Sequence, residues 1–122
     1  FVMTLEQSVD LIEYAILNGD SGDTVISDLV SLNVKDLIEI FSEKYGKPIK
    51  ITGLRPGEKL LESLINETQS GRIIKQNKYT HIKSVLTYNC EVDTNKLKNY
   101  NSKINPLNKQ QLKEFLIKLN LL

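Results

Sequence analysis

Disulfide chemistry is the first thing this sequence rules out. It has a single cysteine, Cys90, so no intrachain bridge can form, and a lone thiol fits a reducing compartment. Zinc is not expected either, because no Cys/His cluster has ligand spacing. No apolar run approaches the roughly 18 residues that a membrane span needs, and no signal peptide is recognisable. A cytoplasmic location is the expectation. The net charge is +1, too small to argue for strong attraction to nucleic acid or to a membrane surface. Arginine is rare, with two against fourteen lysines. The glycine-rich strand-turn-helix fingerprint of a dinucleotide site is missing. The chain starts at Phe1, already on the approach to a helix, which suggests a piece of a longer polypeptide.

What is present is an ordinary soluble composition. Apolar residues make up 40% and charged residues 25% of 122, enough for one small domain or part of a larger one. Residues 4–18 have helical apolar spacing at Leu5, Val9, Ile12 and Ile16, opened by a Thr4/Gln7 capping box. The acids Glu6, Asp10 and Glu13 trace the solvated side of that helix. Residues 24–30 predict a strand. A second helix is expected over 34–45, with Asn33 as its cap and Gly46 as its stop. Residues 49–52 predict another strand, and Pro56 is placed to open a third helix carrying Leu60, Leu61, Leu64 and Ile65. Asn66 to Gly71 reads as a loop, residues 72–88 show β-like alternation in places, residues 89–107 read as an irregular surface crossing, and a last helix is expected over 109–120 behind Asn108. The fold class is therefore mixed α/β. Residues 1–122 form one lobe: a helix-strand-helix-strand-helix core over 1–71, an irregular β crossing over 72–107, and a C-terminal helix over 108–122.

The candidate site lies in GLRPGEKLLESL, residues 53–64. Arg55 sits between a predicted strand end and a predicted helix start, where unpaired backbone N–H groups favour an anion. A guanidinium offers a planar fork that binds two phosphate oxygens together, which an ammonium cannot do. Glu58, three residues on, has the acceptor chemistry for the hydroxyls of a ribose, and Gly57 allows close approach. Phosphate on Arg55 and ribose on Glu58 would describe a nucleoside diphosphate grip. The same spacing also suits a plain Arg55–Glu58 pair, and a glutamate in a first helical turn is favoured by the dipole alone.

FVMTLEQSVDLIEYAI resembles the Phe-x-Met-Thr-Leu-x-Gln-x-Val-Asp-Leu segment of bacterial nucleotide-sugar dehydratases and epimerases. GLRPGEKLLE resembles their Arg-Pro-Gly-Glu-Lys-Leu motif, and YNSKINPLNKQQLKEFLIKL their Tyr-Asn-Ser ending and final helix. These are extended short-chain dehydrogenase/reductases, of the UDP-N-acetylglucosamine 4,6-dehydratase and capsular polysaccharide epimerase group. The likeness covers most of 1–65 and about 100–120, and departs from the group at Leu61, where His or Tyr is usual. It implies the small C-terminal substrate-binding lobe, without the Rossmann domain that would carry NAD or NADP. In that group the motif arginine contacts the pyrophosphate and the acid three residues later the uridine ribose, roles that would fall on Arg55 and Glu58.

No catalytic residue is expected in this segment. Tyr79 and Lys83 spell Tyr-x-x-x-Lys, but on a β-like stretch, where the two side chains would not share a helix face. His81 has no evident Asp, Ser or Cys partner for nucleophilic work. Cys90 reads as a partly buried thiol or a bystander. Lys96, Lys98, Lys103, Lys109, Lys113 and Lys118 make the last third basic, but aromatics do not interleave as nucleic-acid stacking platforms would. The expected partners are a UDP-sugar and the missing Rossmann domain. A homo-oligomer is compatible with this; nucleic acid and membrane are not expected. The alternatives are a stand-alone nucleotide-sugar-binding or interaction module and, behind it, a nucleic-acid-binding domain.

Overall fold

The N-terminal helix forms as its caps dictate. In the computed structural model, which describes residues 1–86 and 99–122, helix α1 runs Leu5–Asn18. The Thr4 hydroxyl accepts from the Gln7 amide at 3.2 Å and the Gln7 side chain accepts from the Thr4 amide at 2.8 Å. Helix α2, Val34–Tyr45, starts where the Asn33 side chain accepts from the Lys35 amide, and stops at Gly46 with φ 61°. The left-handed turn there favours glycine. Helix α3, Lys109–Lys118, opens on a second capping box, Asn108 with Gln111. The class is mixed α/β, as expected.

The chain divides into two compact units. The first comprises Val2–Leu29 and Ser63–Asn101, and is built on a three-stranded antiparallel sheet. Its strands are β1 (Thr24–Ser27), β4 (Ile73–Gln76) and β5 (Tyr79–Ile82), with β5 in the centre. A tight turn joins β4 to β5, with Asn77 at φ 55°, a conformation asparagine tolerates better than most residues. A separate pair joins β3 (Ser63–Ile65) to β6 (Tyr100–Asn101). Ile26, Ile65, Ile73 and Ile82 form the core, closed by Leu64 and Tyr100. The Tyr100 hydroxyl donates to the Leu29 carbonyl at 3.0 Å and accepts from its amide at 3.1 Å.

The second unit comprises Phe1, Val30–Glu62 and Ser102–Leu122. Here β2 (Ser31–Leu32) pairs in parallel with β7 (Pro106–Leu107), and α2 packs on α3. Ile40, Leu112 and Leu116 are the core, flanked by Leu32, Leu37, Phe41, Leu107 and Leu122. Each such side chain taken out of water stabilises by about 1.5–3 kcal/mol. Lys109 clamps the helix pair from outside, its ammonium 2.9 Å from both Glu39 and Glu43.

Three sequence expectations are corrected. The strand expected over 24–30 ends at Ser27, and the next strand begins at Ser31. Residues 49–52 form no strand: among the described residues they have no neighbouring strand to pair with, and Ile51 is 91% exposed. No helix follows Pro56. Gly53 and Gly57 take φ 80° and 89°, outside the helical region, and Ser63–Ile65 is drawn into β3 by its ladder with Tyr100–Asn101. The alternation seen at 72–74 and 81–85 overlaps β4 and β5 only in part, since Arg72 precedes β4 and residues 83–85 follow β5, and β6 and β7 add order to the stretch expected to be irregular. Cys90, Lys96 and Lys98 lie outside the described residues.

Candidate functional site

The RPGE segment belongs to the second unit and is exposed throughout. Pro56 and Gly57 occupy a turn closed twice over by Glu58. Its amide donates to the Arg55 carbonyl at 3.0 Å, and its carboxylate accepts from the Arg55 amide at 2.9 Å. Gly57 sits at φ 89° with open space around the position of an absent Cβ, so its need is conformational, not steric. The far end of the segment is tied down at Glu62, whose amide donates to the Ser102 hydroxyl at 3.1 Å and whose carbonyl accepts from the Ser102 amide at 2.8 Å.

Two open depressions border this segment. One, of about 530 Å³, is lined by Val34, Leu54, Gly57, Glu58, Lys59 and Glu62. The other, of about 750 Å³, takes in Asn33, Leu60, Leu61 and Lys103 and shares Val34, Lys59 and Glu62 with the first. The first residues of α2 therefore face the same space as the motif. Of the predicted site residues, Gly57 and Glu58 line it, whereas Arg55 is not among its lining residues. The Arg55–Glu58 pair is a backbone-to-carboxylate contact. The guanidinium has no carboxylate partner among the described residues, while one Glu58 oxygen is already engaged.

A polar cluster that the sequence did not disclose lies in the first unit. His81 and Asp23 are almost wholly buried, with 2% and 1% of their side chains exposed, and Nδ1 of the imidazole lies 3.7 Å from the carboxylate. Its Nε2 is 3.0 Å from the Tyr14 hydroxyl, which also donates to Gln76 at 2.8 Å. Lys83 bridges Asp23 and Asp20 at 2.6 and 2.7 Å. Burial pushes the Asp23 carboxyl upward, but the Lys83 ammonium and the Ser84 and Asp20 amides outweigh it and hold the group below its ordinary range. The bonds to Asp20 and Asp23 hold the Lys83 ammonium above its usual value. His81 thus has the acidic neighbour that its sequence context did not reveal. The signal was the turn at 19–23, whose aspartates fold back across a strand sixty residues away. The cluster ties α1 and this turn to β5. Tyr79 stacks on Tyr14 at 3.7 Å between ring centroids, and Lys83 is held by carboxylates, so the literal Tyr-x-x-x-Lys pair, opening β5 and following its end, has structural roles.

A family model described as polysaccharide biosynthesis protein matches residues 1–84, a span holding α1, α2 and the RPGE segment. The chain belongs to this polysaccharide biosynthesis protein family. Among curated proteins, an uncharacterized membrane protein of Methanocaldococcus jannaschii is 36% identical over all of this chain and 39% of its own length. A UDP-glucose 4-epimerase of Rickettsia felis is 30% identical over 98% of this chain and 38% of its own. The X-ray structure of Pen from Bacillus thuringiensis superposes with a TM-score of 0.82 at 28% identity, covering 100% of this chain and 39% of that one. This member of the family thus spans about two fifths of the length of those relatives. Among its described residues no helix is long and apolar enough to cross a membrane.

Proposed function

We propose that this chain is the nucleotide-sugar-binding C-terminal portion of an NAD(P)-dependent 4,6-dehydratase or epimerase in surface polysaccharide synthesis. Membership of a polysaccharide biosynthesis family and likeness to UDP-glucose 4-epimerases support the substrate class. One observation carries the site: the Arg55 guanidinium is exposed and has no carboxylate partner among the described residues, on a turn whose shape Glu58 and Gly57 maintain beside an open depression. A diphosphate would meet the guanidinium fork in two charge-assisted hydrogen bonds. The Glu58 oxygen not used by the Arg55 amide would accept from a ribose hydroxyl. Lys59 would add positive charge at the same mouth.

In the intact enzyme, NAD or NADP bound outside this chain would supply hydride transfer at the sugar. No residue here is assigned to that cofactor, because the sequence holds no glycine-rich strand-turn-helix unit to receive it. This portion contributes remote binding energy, fixing the nucleotide so that the sugar is held for the reacting groups. Calorimetric titration of UDP and of UDP-N-acetylglucosamine tests the reading. Binding that weakens in both Arg55→Lys and Glu58→Gln supports it. Binding that neither variant alters removes the site.

A further inference from the structure

The space beside the RPGE segment has two walls. One is the approach to α2, with Leu32, Asn33 and Val34; the other is the end of the segment, with Lys59, Leu61 and Glu62. The second wall has little to hold it. Residues 48–62 form no helix or strand. Among the described residues, 48–61 make no hydrogen bond to the rest of the chain, the Arg55–Glu58 contacts being internal to the segment. The segment is fastened only at its ends. The Lys47 carbonyl accepts from the Ser42 hydroxyl, and Glu62 is bonded to Ser102.

Ser31 stands at the foot of the first wall, directly before Leu32, and its side chain is wholly buried, with 0% exposed. A hydroxyl in such a place must find a partner. Its Oγ donates to the Ser102 carbonyl at 2.9 Å. Ser102 passes the connection to the other wall, since its hydroxyl accepts from the Glu62 amide at 3.1 Å and its amide donates to the Glu62 carbonyl at 2.8 Å. The ladder alone would hold this corner weakly. It pairs only Ser31 with Pro106 and Leu32 with Leu107, and Pro106 has no backbone N–H to give.

The geometry points to Ser31 as a positioning residue for the nucleotide: the bonds Ser31–Ser102–Glu62 form a bracket that sets the distance between the two walls of the depression holding it. This rests on the reading of Arg55 and Glu58 as the nucleotide grip. A shift of about 1 Å between groups that must act together is enough to lose much of their joint effect. The Arg55–Glu58 latch is local, so attraction of the guanidinium for a lone anion does not depend on the bracket. A nucleoside, which has to fit between the walls, does depend on it.

Calorimetric titration with UDP, uridine and inorganic phosphate, together with amide hydrogen exchange, tests the bracket. In Ser31→Ala the Glu62 and Ser102 amides should exchange about tenfold faster, because their own bonds report its integrity. UDP and uridine should bind about three- to tenfold more weakly, the worth of one net hydrogen bond, with phosphate affinity unchanged. Ser102→Ala removes only the acceptor for the Glu62 amide. It should repeat both losses, and it decides the matter if Ser31→Ala does not fold. Leu112→Ala loosens the same unit without touching the bracket and should keep the parent affinity for UDP. Parent-like UDP binding in the serine variants overturns the inference. So does an equal loss in Leu112→Ala, which would make the effect one of general stability. Arg55→Lys separates this from the grip. UDP binding that weakens in Arg55→Lys but not in the serine variants sinks only the bracket, and the reverse pattern sinks only the grip.

Discussion

The carboxylate of Glu58 accepts from the backbone amide of Arg55 at 2.9 Å, so the two residues are joined through the main chain and not through opposite charges. The guanidinium has no carboxylate partner among the described residues, while the acid acts as the latch of the turn.

Arg55→Lys should lower UDP affinity by about 1–3 kcal/mol, the worth of a charge-assisted hydrogen bond, because an ammonium cannot reproduce the fork. Glu58→Gln keeps an oxygen for the latch but loses the charge, and should cost about as much for UDP while affecting free phosphate less. Isothermal titration against UDP, uridine and inorganic phosphate checks the division of labour. An unchanged uridine affinity in Glu58→Gln would contradict the ribose role.

Gly57→Ala should weaken UDP binding without unfolding the protein. Its φ of 89° is strained for any side chain, at about 1 kcal/mol or more, yet no neighbour would clash with the added methyl. The variant should therefore open or reshape the turn, giving reduced affinity with a fall of only a few degrees in the thermal midpoint.

Asp23→Asn should destabilise the protein at neutral pH by about 2–3 kcal/mol, since it removes hydrogen bonds to a buried charge. The pH dependence has a defined sign. The folded Asp23 carboxyl lies below its ordinary 3.8, so its contribution is complete above that value and is lost as the pH falls through the folded one. Lys83 is raised above 10.5, so its contribution is complete below that value and is lost as alkali reaches the folded one. Urea unfolding of the parent and Asp23→Asn should therefore differ most near neutrality and converge toward acid pH.

Leu112→Ala should cost about 2–5 kcal/mol, as it empties a position with no solvent contact in the core of the second unit. Thr4→Ala removes one half of the α1 capping box and should cost about 1 kcal/mol. Chemical denaturation followed by circular dichroism measures both, and an equal cost for the two would contradict the burial described for Leu112.

Helices were readable because their signals are local. Thr4 with Gln7, Asn33 with Lys35, and Asn108 with Gln111 each act across two or three residues, and the apolar spacing between caps follows from one turn of helix. The motif residues Arg55, Gly57 and Glu58 could be singled out for the same reason, their chemistry being written in adjacent positions. Strand pairing could not be read this way. Residues 49–52 have the composition of a strand but no partner strand among the described residues. Ser63–Ile65 sits in a helix-like run of leucines, yet joins Tyr100–Asn101 because a ladder satisfies backbone groups that an isolated turn of helix would leave to water. His81 acquired Asp23 and Tyr14 as neighbours only when β5 paired with β1 and α1 closed over it. Such contacts join residues some sixty positions apart, and loop closure over that distance obeys the balance of the whole chain, which no short window of sequence contains.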